Sequence, residues 1–228
     1  MVTYMIHACP KRLWYVTEYL IPSMLDQGIS KDQISVFNDT THMGNLAACM
    51  ASFESLANKD GGTWHLQDDV IISRRFKELS EKYDCDIVYG FSGYYDHPKN
   101  NPTKFYPPGK VLPEQMWSSF QCVRIPNDIA VAWAKWMRTD IIGNPVYRDY
   151  WEPNIMDDWW FKQYIKQTYD YSIVLNLAPN IVDHVDYLIG GSIINKKRLK
   201  PIYRARYWED EDLVDELTLK LARRAHAF

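Results

Sequence analysis

Strand-like and helix-like segments alternate along most of this 228-residue chain. Short runs of apolar, β-branched and aromatic residues are typical of buried strands, and they recur at 2–10, 34–39, 63–72, 86–93, 117–126 and 171–184. Several segments between these runs carry apolar residues at helical spacing. Because parallel strands need crossover connections that are usually helices, the pattern predicts an α/β domain whose mainly parallel central sheet is flanked by helices.

The composition narrows the class of protein. Hydrophobic residues make up 46% of the chain and charged residues 24%, which is the balance of a globular protein with an ordinary core. The formal net charge of −3 argues against a protein that coats nucleic acid, although it does not exclude a local basic groove. Aromatic residues reach 14%, more than such a core needs, and this excess predicts that some rings line a binding surface.

The cysteines and the N-terminus bear on the cellular compartment. The four cysteines lie far apart, at positions 9, 49, 85 and 122, and no Cys-x-x-Cys pair exists. This spacing indicates free, packed thiols rather than a zinc ribbon or a redox site. The N-terminal residues lack the features of a signal peptide, and no window approaches a membrane span. These features predict a cytoplasmic protein, located in the host cytoplasm if a phage encodes it.

Two adjacent acids, Asp68 and Asp69, interrupt the apolar run at 63–72. An ionised carboxylate that is buried without a partner is costly, so two of them in one strand call for an explanation. In an open α/β sheet, the carboxyl ends of strands open into the ligand crevice, where acids can hold a hard cation such as Mn²⁺ or Mg²⁺. The alternative is a pair of turn acids that make local hydrogen bonds.

Two other positions leave the same choice between function and structure. His184 follows the apolar residues at 181–182, where a histidine is either a ligand or a structural residue with a hydrogen-bond partner. Asp157 and Asp158 open a predicted helix, where the helix dipole and capping favour acids for purely structural reasons. The order of all these signals along the chain is more informative than any one of them.

That order resembles the GT-A type of nucleotide-sugar glycosyltransferase over residues 3–195. The segments that carry the resemblance are MIHACPKR, VFNDT, HLQDDVIIS, RIPNDIAVAWAKWM, MDDWW and APNIVDHVDYLIGGSI, the last similar to a stretch of sugar-modifying bacterial and phage enzymes. The acidic segment resembles the family's Asp-x-Asp element in its "EDDv" form, with Gln67 where that form has its first acid. The resemblance implies a GT-A-like single domain that transfers a sugar from a nucleoside diphosphate sugar, expected to be a UDP-sugar, to an acceptor hydroxyl.

The resemblance also implies which residues contact the donor. His7 and Asp39, near the ends of the first two strands, would contact the nucleotide. Asp68 would belong to the same donor site, and Asp69 would bind the metal, Mn²⁺ or Mg²⁺, together with the diphosphate. His184 would complete the metal shell.

Sugar transfer needs stabilisation of the departing diphosphate, which a divalent ion and basic side chains can share. The run from Lys196 to Arg206 is basic and contains no acid, so Lys197 and Arg198 are predicted phosphate contacts. An inverting enzyme also needs a carboxylate base for the acceptor hydroxyl. Asp158 is the first candidate for that base and Asp157 the second, whereas a retaining enzyme would not need one.

The predicted organisation is a catalytic domain at 1–195, followed by a basic segment and a C-terminal helix at 196–228. Two aromatic, proline-containing stretches at 94–116 and 143–154 are predicted to be loops on the acceptor side. The acceptor stays open between a surface polysaccharide, a protein, a small molecule and a hydroxymethylated DNA base, the last in a phage setting. The sequence leaves the donor sugar, the stereochemistry and the oligomeric state open as well.

Two other functions stay open at this point. A metal-dependent hydrolase of nucleotides or phosphate esters would use Asp68, Asp69 and His184, although two-metal hydrolases usually have more His and Asp ligands. A non-catalytic module that binds carbohydrate or nucleic acid would explain the aromatic content. Release of free sugar or phosphate without an acceptor would favour the hydrolase, and binding without metal or nucleotide would favour the module.

Overall fold

The computed structural model of the chain describes residues 2–83, 87–91, 93–95, 109–111, 120–150, 157–169, 174–190, 203–205 and 208–225. Most of the predicted acceptor-side loop at 94–116 lies outside these residues, and so do residues 151–154 of the second loop. Lys197 and Arg198 also lie outside them. What was predicted for these segments stays a prediction.

The described residues form strands and helices in the predicted alternation. The strands are β1 (Thr3–Ala8), β2 (Ile34–Asn38), β3 (Gly62–Gln67), β4 (Val70–Ile72), β5 (Ile87–Tyr89), β6 (Gly93–Tyr95), β7 (Gly109–Val111), β8 (Cys122–Pro126), β9 (Val174–Asn176), β10 (Val182–His184) and β11 (Tyr203–Ala205). The α-helices are α1 (Leu13–Tyr15), α2 (Ile21–Asp26), α3 (Asn45–Glu54), α4 (Phe76–Lys82), α5 (Asn127–Trp136), α6 (Asp157–Thr168) and α7 (Glu211–Ala225).

The central sheet has seven strands in the order β2-β1-β3-β8-β5-β9-β7. β1 is parallel to β2 and β3, and β5 is parallel to β9. β8 is antiparallel to both of its neighbours, and β7 is antiparallel to β9. Five of these seven strands therefore run in one direction, which confirms the predicted α/β fold with a mainly parallel sheet flanked by helices. Two small sheets pair β4 with β10 and β6 with β11.

Helices cover both faces of the central sheet. Successive side chains of β1 point to opposite faces, so Tyr4 and Ile6 lie in one buried cluster and Met5 in the other. The first cluster contains residues of α2, α4, β4 and β10, and the second contains residues of α3, α5 and α6. Trp208 and Leu217, near the C-terminus, belong to the first cluster. Burial on both faces explains why the central strands carry apolar residues on both sides rather than on alternate positions only.

The apolar run at 63–72 forms two strands, not one. β3 ends at Gln67, Asp68 and Asp69 make the turn, and β4 continues in a different sheet. Adjacent side chains of a strand point to opposite faces, so two acids inside a central strand would place one carboxylate in each covered face of the sheet. The turn avoids the cost of burying them there. The run at 171–184 divides in the same way, into β9 and β10. The prediction of one strand in each place was wrong, and the acids lie just beyond a strand end.

Pro22 lies in the first turn of α2. A π-helical segment at Val16–Leu20 lies between α1 and α2. Proline lacks an N–H and crowds the carbonyl four residues earlier, so a locally wider turn accommodates it.

The three described cysteines, Cys9, Cys49 and Cys122, are free thiols. Among the described helices, none has the length and apolar character needed to cross a membrane.

The residue after β5, Gly90, is packed too tightly to leave room for a side chain. A Cβ at this position would lie 2.6 Å from Cγ1 of Ile181 and 2.8 Å from Sγ of Cys122, two buried side chains. We expect Gly90→Ala to lower the free energy of unfolding by about 1–3 kcal/mol, the usual cost of overpacking. Urea unfolding gives the value. Truncation to Ile181→Ala makes room for the new methyl group, so the double variant should lose less than the sum of the two single variants. Strict additivity would contradict the clash.

Candidate functional site

The parallel strands of the central sheet all end at the same edge. The segments that follow β1, β2 and β3 carry Arg12, Asp39 and the Asp68–Asp69 turn. α6 precedes β9 and crosses back over the sheet, so its first residues lie at this edge as well. The carboxyl ends of strands in an open α/β sheet are where ligands bind. The predicted acids, scattered along the sequence, therefore share one edge of the sheet, which we call the carboxyl edge.

Arg12 bridges the two acids of the β3–β4 turn. Its Nη1 donates to Oδ1 of Asp68 over 3.0 Å and also to Oδ2 of Asp69. The backbone N–H of Cys9 donates to Oδ2 of Asp68 over 2.7 Å. All three charged side chains are buried, and buried charges are tolerated when they are paired in this way. The two turn acids thus have hydrogen-bond partners, and these partners come from the loop after β1.

His184 lies on the other side of Asp69. β10 pairs with β4 so that His184 is opposite Val70, and the N–H of Val185 donates to the backbone oxygen of Asp69 over 2.8 Å. Nε2 of His184 is 3.2 Å from Oδ2 of Asp69, and its Nδ1 is 3.7 Å from Oδ1 of Asp186. The structure brings the two predicted metal ligands, Asp69 and His184, together and adds Asp186 beside them.

The charges of this cluster stabilise one another. Burial alone would raise the pKa of Asp69, but His184 and Arg12 beside it hold that pKa below its ordinary value. Burial would lower the pKa of His184, yet the Asp69 carboxylate raises it overall. Burial, followed by the charge of Asp69, raises the pKa of Asp68. The cluster therefore keeps Asp69 ionised and favours a protonated His184. A charged ligand at this turn would meet a carboxylate and the cationic side chains beside it.

The fit of a divalent cation to these residues depends on Asp69. Among the described residues, no group of three or more His, Cys, Asp or Glu side chains is arranged to hold a metal ion. However, Oδ1 of Asp69 is buried and has no hydrogen-bond partner in the described part of the chain. Mg²⁺ is often bound by one or two carboxylates together with substrate phosphates, and one free carboxylate oxygen fits that mode. His184 fits less directly, since its Nε2 already contacts Asp69.

A second pair of acids lies at the start of α6. Nδ2 of Asn45 donates to Oδ1 of Asp157 over 2.9 Å, which ties Asp157 to the first residue of α3. Asp157 is 5% exposed, whereas Asp158 is only partly buried and accepts a hydrogen bond from the N–H of Trp159. The predicted helix start is confirmed. Asp157 is held by a neighbouring helix, and Asp158 contacts its own helix.

Burial makes both of these carboxyls unusually basic. It raises the pKa of Asp157 to about 6, against the effect of the nearby N–H groups and of Cys49 and Asn45. Burial, followed by the charge of Asp157, raises the pKa of Asp158 well above its ordinary value. The hydroxyl of Tyr89, at the end of β5, is buried without a hydrogen-bond partner among the described residues. A carboxyl whose pKa approaches neutrality is the form that general acid–base chemistry uses.

The raised pKa of Asp157 predicts a pH dependence of stability. A folded-state pKa of about 6, above the ordinary aspartate value of 3.8, means that its contribution to stability is full below about pH 4 and is lost as the pH rises through 6. We expect Asp157→Asn to flatten the stability profile over this range and to gain roughly 2–3 kcal/mol over wild type at pH 7.5. Urea unfolding at pH 4 and 7.5 measures this, with Asp26→Asn as the matched exposed control. Equal slopes in wild type and Asp157→Asn would contradict the prediction.

Asp39 is occupied by its own loop. Its Oδ1 accepts hydrogen bonds from the N–H of Met43 over 3.0 Å and from the hydroxyl of Thr41 over 3.3 Å. Its Oδ2 accepts from the N–H of Gly44 over 3.3 Å, at a φ of +91° that favours glycine. Asp39 thus shapes the connection from β2 to α3 at the carboxyl edge. Its predicted contact with the nucleotide stays a prediction.

His7 pairs with a second histidine of the neighbouring strand. Its Nε2 is 2.9 Å from Nδ1 of His65, and its Nδ1 is 3.3 Å from the hydroxyl of Ser52. Burial lowers the pKa of His7 to about 4 and that of His65 well below its ordinary value, so both rings are neutral near pH 7. The side chain of His7 lies on the face covered by α3, against Phe53. Its predicted nucleotide contact also stays a prediction.

Sequence reasoning missed three residues of the site. The partners of Arg12, Asn45 and Asp186 could not be predicted, because each of these residues meets its acidic or histidine partner only through the fold. Arg12 and Asp68 are 56 positions apart in sequence, and Asn45 and Asp157 are 112 positions apart. A basic residue directly after the first strand was the available signal for Arg12, since that loop was expected to reach the nucleotide.

Comparisons with known proteins give only distant structural similarity. No protein-family model matches the sequence, and no curated protein sequence matches it. Among solved structures, "Crystal Structure of A197 from STIV" is 15% identical with a TM-score of 0.44, over 80% of this chain and 85% of that one. A putative glucose-1-phosphate thymidylyltransferase from Bacillus anthracis, in complex with a sucrose, is 10% identical with a TM-score of 0.38, over 78% and 86%. HddC from Yersinia pseudotuberculosis is 9% identical with a TM-score of 0.37, over 78% and 90%. Similarity at this level establishes neither family nor function.

Proposed function

We propose that this chain is a glycosyltransferase that moves a sugar from a nucleoside diphosphate sugar, expected to be a UDP-sugar, to an acceptor hydroxyl. One observation carries the proposal: a single edge of the sheet holds two acid pairs in opposite electrostatic environments. The Asp68–Asp69 pair is held by cations, which suits an anionic donor. The Asp157–Asp158 pair has raised pKa values, which suits a proton acceptor.

The donor diphosphate would bind at the β3–β4 turn. Arg12 carries a planar guanidinium that matches phosphate oxygens and lies against both acids of the turn. Asp69, through its unpartnered Oδ1, and His184 would hold Mn²⁺ or Mg²⁺. Such a metal, when bound, supplies Lewis-acid stabilisation of the departing diphosphate. Asp68 would keep the turn in place through Arg12 and Cys9.

The remaining donor contacts follow from the sequence. His7 and Asp39 lie near the ends of β1 and β2, where the nucleoside would bind. Lys197 and Arg198 would contact the phosphates from the C-terminal side. Together with Arg12, they would balance the negative charge that collects at the acid-rich edge when a diphosphate enters.

Asp158 would act as the general base of an inverting transfer. It would accept the proton of the acceptor hydroxyl as that oxygen bonds to the anomeric carbon and the bond from this carbon to the diphosphate breaks. Asp157 is less suited to this role because Asn45 holds its carboxylate and it is more deeply buried. Its negative charge instead raises the pKa of Asp158, so that Asp158 takes up a proton readily.

Trp159 would contact the acceptor beside Asp158. It is one of the exposed large apolar side chains, at 36% exposure, and its ring packs edge-on against the buried Trp160 at 4.7 Å. We expect Trp159→Ala to raise the KM for the acceptor about tenfold, the size of one lost stacking contact, with donor affinity unchanged. Steady-state kinetics with the acceptor varied would measure this. The matched control is Trp136→Ala, which removes a ring on α5 that packs against Trp160 from another side. This variant should leave the KM for the acceptor unaltered relative to the KM for the donor. An unchanged acceptor KM in Trp159→Ala would remove this residue from the acceptor site.

Product analysis tests the proposed function against its alternatives. The full chain is incubated with nucleoside diphosphate sugars and Mn²⁺, with and without a mixture of candidate acceptors, and products are identified by mass spectrometry. Nucleoside diphosphate together with a glycosylated acceptor supports the transferase. Free sugar or phosphate formed equally well without any acceptor indicates the hydrolase. Binding of carbohydrate or nucleic acid that persists in chelator, with no turnover of any donor, indicates a non-catalytic module.

A further inference from the structure

The acid pair of the β3–β4 turn is already bound to a cation that belongs to the protein. One nitrogen of Arg12, Nη1, contacts a carboxylate oxygen of each acid, Oδ1 of Asp68 and Oδ2 of Asp69. Arg12 is 5% exposed, so this contact is shielded from solvent. A single positive atom between two buried carboxylates is the arrangement in which a divalent ion would also be stable. Arg12 and a metal would therefore use the same pair of acids.

We infer that Arg12 competes with the divalent metal for the carboxylate oxygens of Asp68 and Asp69. Oδ2 of Asp69 is shared between Arg12 and His184, which leaves Oδ1 as its unpartnered oxygen among the described residues. A metal on that oxygen would stand beside the guanidinium of Arg12, which contacts the other oxygen of the same carboxylate, and like charges at such distances repel strongly. The protein without its donor therefore binds free metal weakly.

Binding of the donor shifts this competition in favour of the metal, an inference that rests on the proposed function. A diphosphate adds negative charge at the turn and offers Arg12 oxygens that its guanidinium can contact in a fork. As Arg12 shifts its hydrogen bonds from the acids to the phosphates, the carboxylate oxygens are left for the metal. Metal and donor then bind together, and each strengthens the binding of the other.

Titration of the metal alone tests the competition without any nucleotide. Mn²⁺ is titrated into the full chain by isothermal calorimetry, for wild type, Arg12→Lys and Arg12→Gln. Arg12→Gln removes the charge and keeps hydrogen-bond donors, and we expect Mn²⁺ to bind it at least tenfold more tightly than wild type, the factor that loss of one charge-assisted hydrogen bond corresponds to. Arg12→Lys keeps the charge without the fork and should lie in between. Equal Mn²⁺ affinity in all three proteins, or no binding to any of them, would overturn the competition.

Two further variants locate the effect. Adding Asp69→Asn to the Arg12→Gln background should abolish the gain in Mn²⁺ affinity, and a gain that persists would show that the metal binds elsewhere. Arg12→Gln leaves two buried acids without their cation and its fold is checked by circular dichroism. If it does not fold, the comparison of Arg12→Lys with wild type decides, because a charged residue at this position keeps the pair neutralised. Equal Mn²⁺ affinities would overturn the competition without bearing on whether the donor binds. Absence of donor binding would not affect the Mn²⁺ titration, which uses no nucleotide.

Discussion

Replacement of Asp158 by Asn should remove most of the transfer activity and leave donor binding intact. A general base contributes typically about 10²–10⁴-fold to the rate, and an amide cannot accept the proton. We therefore expect kcat to fall by about that factor, while the Kd of the nucleotide-sugar, measured by calorimetry, changes less than about twofold because the base contacts only the acceptor. A loss of donor affinity that parallels the loss of rate would mean that Asp158 belongs to the donor site.

Asp157→Asn is the matched control for this experiment. The charge of Asp157 raises the pKa of Asp158, so its removal should shift the rising limb of the rate against pH toward lower pH with a smaller loss of maximal rate. If kcat falls equally in both variants, the two acids act as one unit. If neither variant loses activity, the enzyme is retaining or its base lies elsewhere, and both acids serve only the start of α6.

Replacement of Asp69 by Asn should weaken donor binding strongly. Oδ1 of Asp69 is the unpartnered oxygen, among the described residues, that would hold the metal, and an amide is a much poorer ligand for the ion that would link the diphosphate to the turn. We expect the affinity for a nucleoside diphosphate sugar in Mn²⁺ to fall about 100-fold or more. Calorimetric titration of donor into wild type and variant gives the ratio.

Two controls accompany this titration. Asp186→Asn neutralises a neighbouring acid whose Oδ1 is 3.7 Å from Nδ1 of His184 and which is not proposed to hold the metal, so donor affinity should fall much less. His184→Ala should weaken donor binding in Mn²⁺ while the circular dichroism spectrum is unchanged. Unaltered metal-dependent affinity in Asp69→Asn would remove the donor site from the β3–β4 turn.

Much of the fold could be predicted because its signals are local. Apolar runs and helical spacing identified the central strands and the helices α3, α5 and α6. Because parallel strands need crossover connections that are usually helices, this alternation predicted a mainly parallel sheet. The two small sheets could not be predicted. β4 and β10 are three residues each, and only a short turn separates each of them from the strand before it, β3 or β9.

The candidate site could be predicted in part, as positions where polar residues break an apolar pattern. Asp69 and His184 were selected in this way, and the structure brings them within hydrogen-bonding reach. The pairing of Arg12 with Asp68 could not be predicted, since nothing in the local sequence of a residue reveals a contact 56 positions away. Burial of Asp157 was also hidden, because two acids at a helix start look alike whether they face solvent or a neighbouring helix.

The most direct test of the proposed donor site is a thermal-shift titration of the full chain with nucleoside diphosphate sugars in the presence of Mn²⁺. A ligand at 100 times its Kd stabilises the folded state by about 2.7 kcal/mol, which corresponds to a rise in Tm of roughly 5–10 °C for a chain of this size. The proposed function predicts such a rise with at least one nucleoside diphosphate sugar, and its loss in Asp69→Asn. No shift with any nucleoside diphosphate sugar in wild type, or an equal shift in Asp69→Asn, would contradict the claim that the carboxyl edge binds a nucleotide-sugar donor.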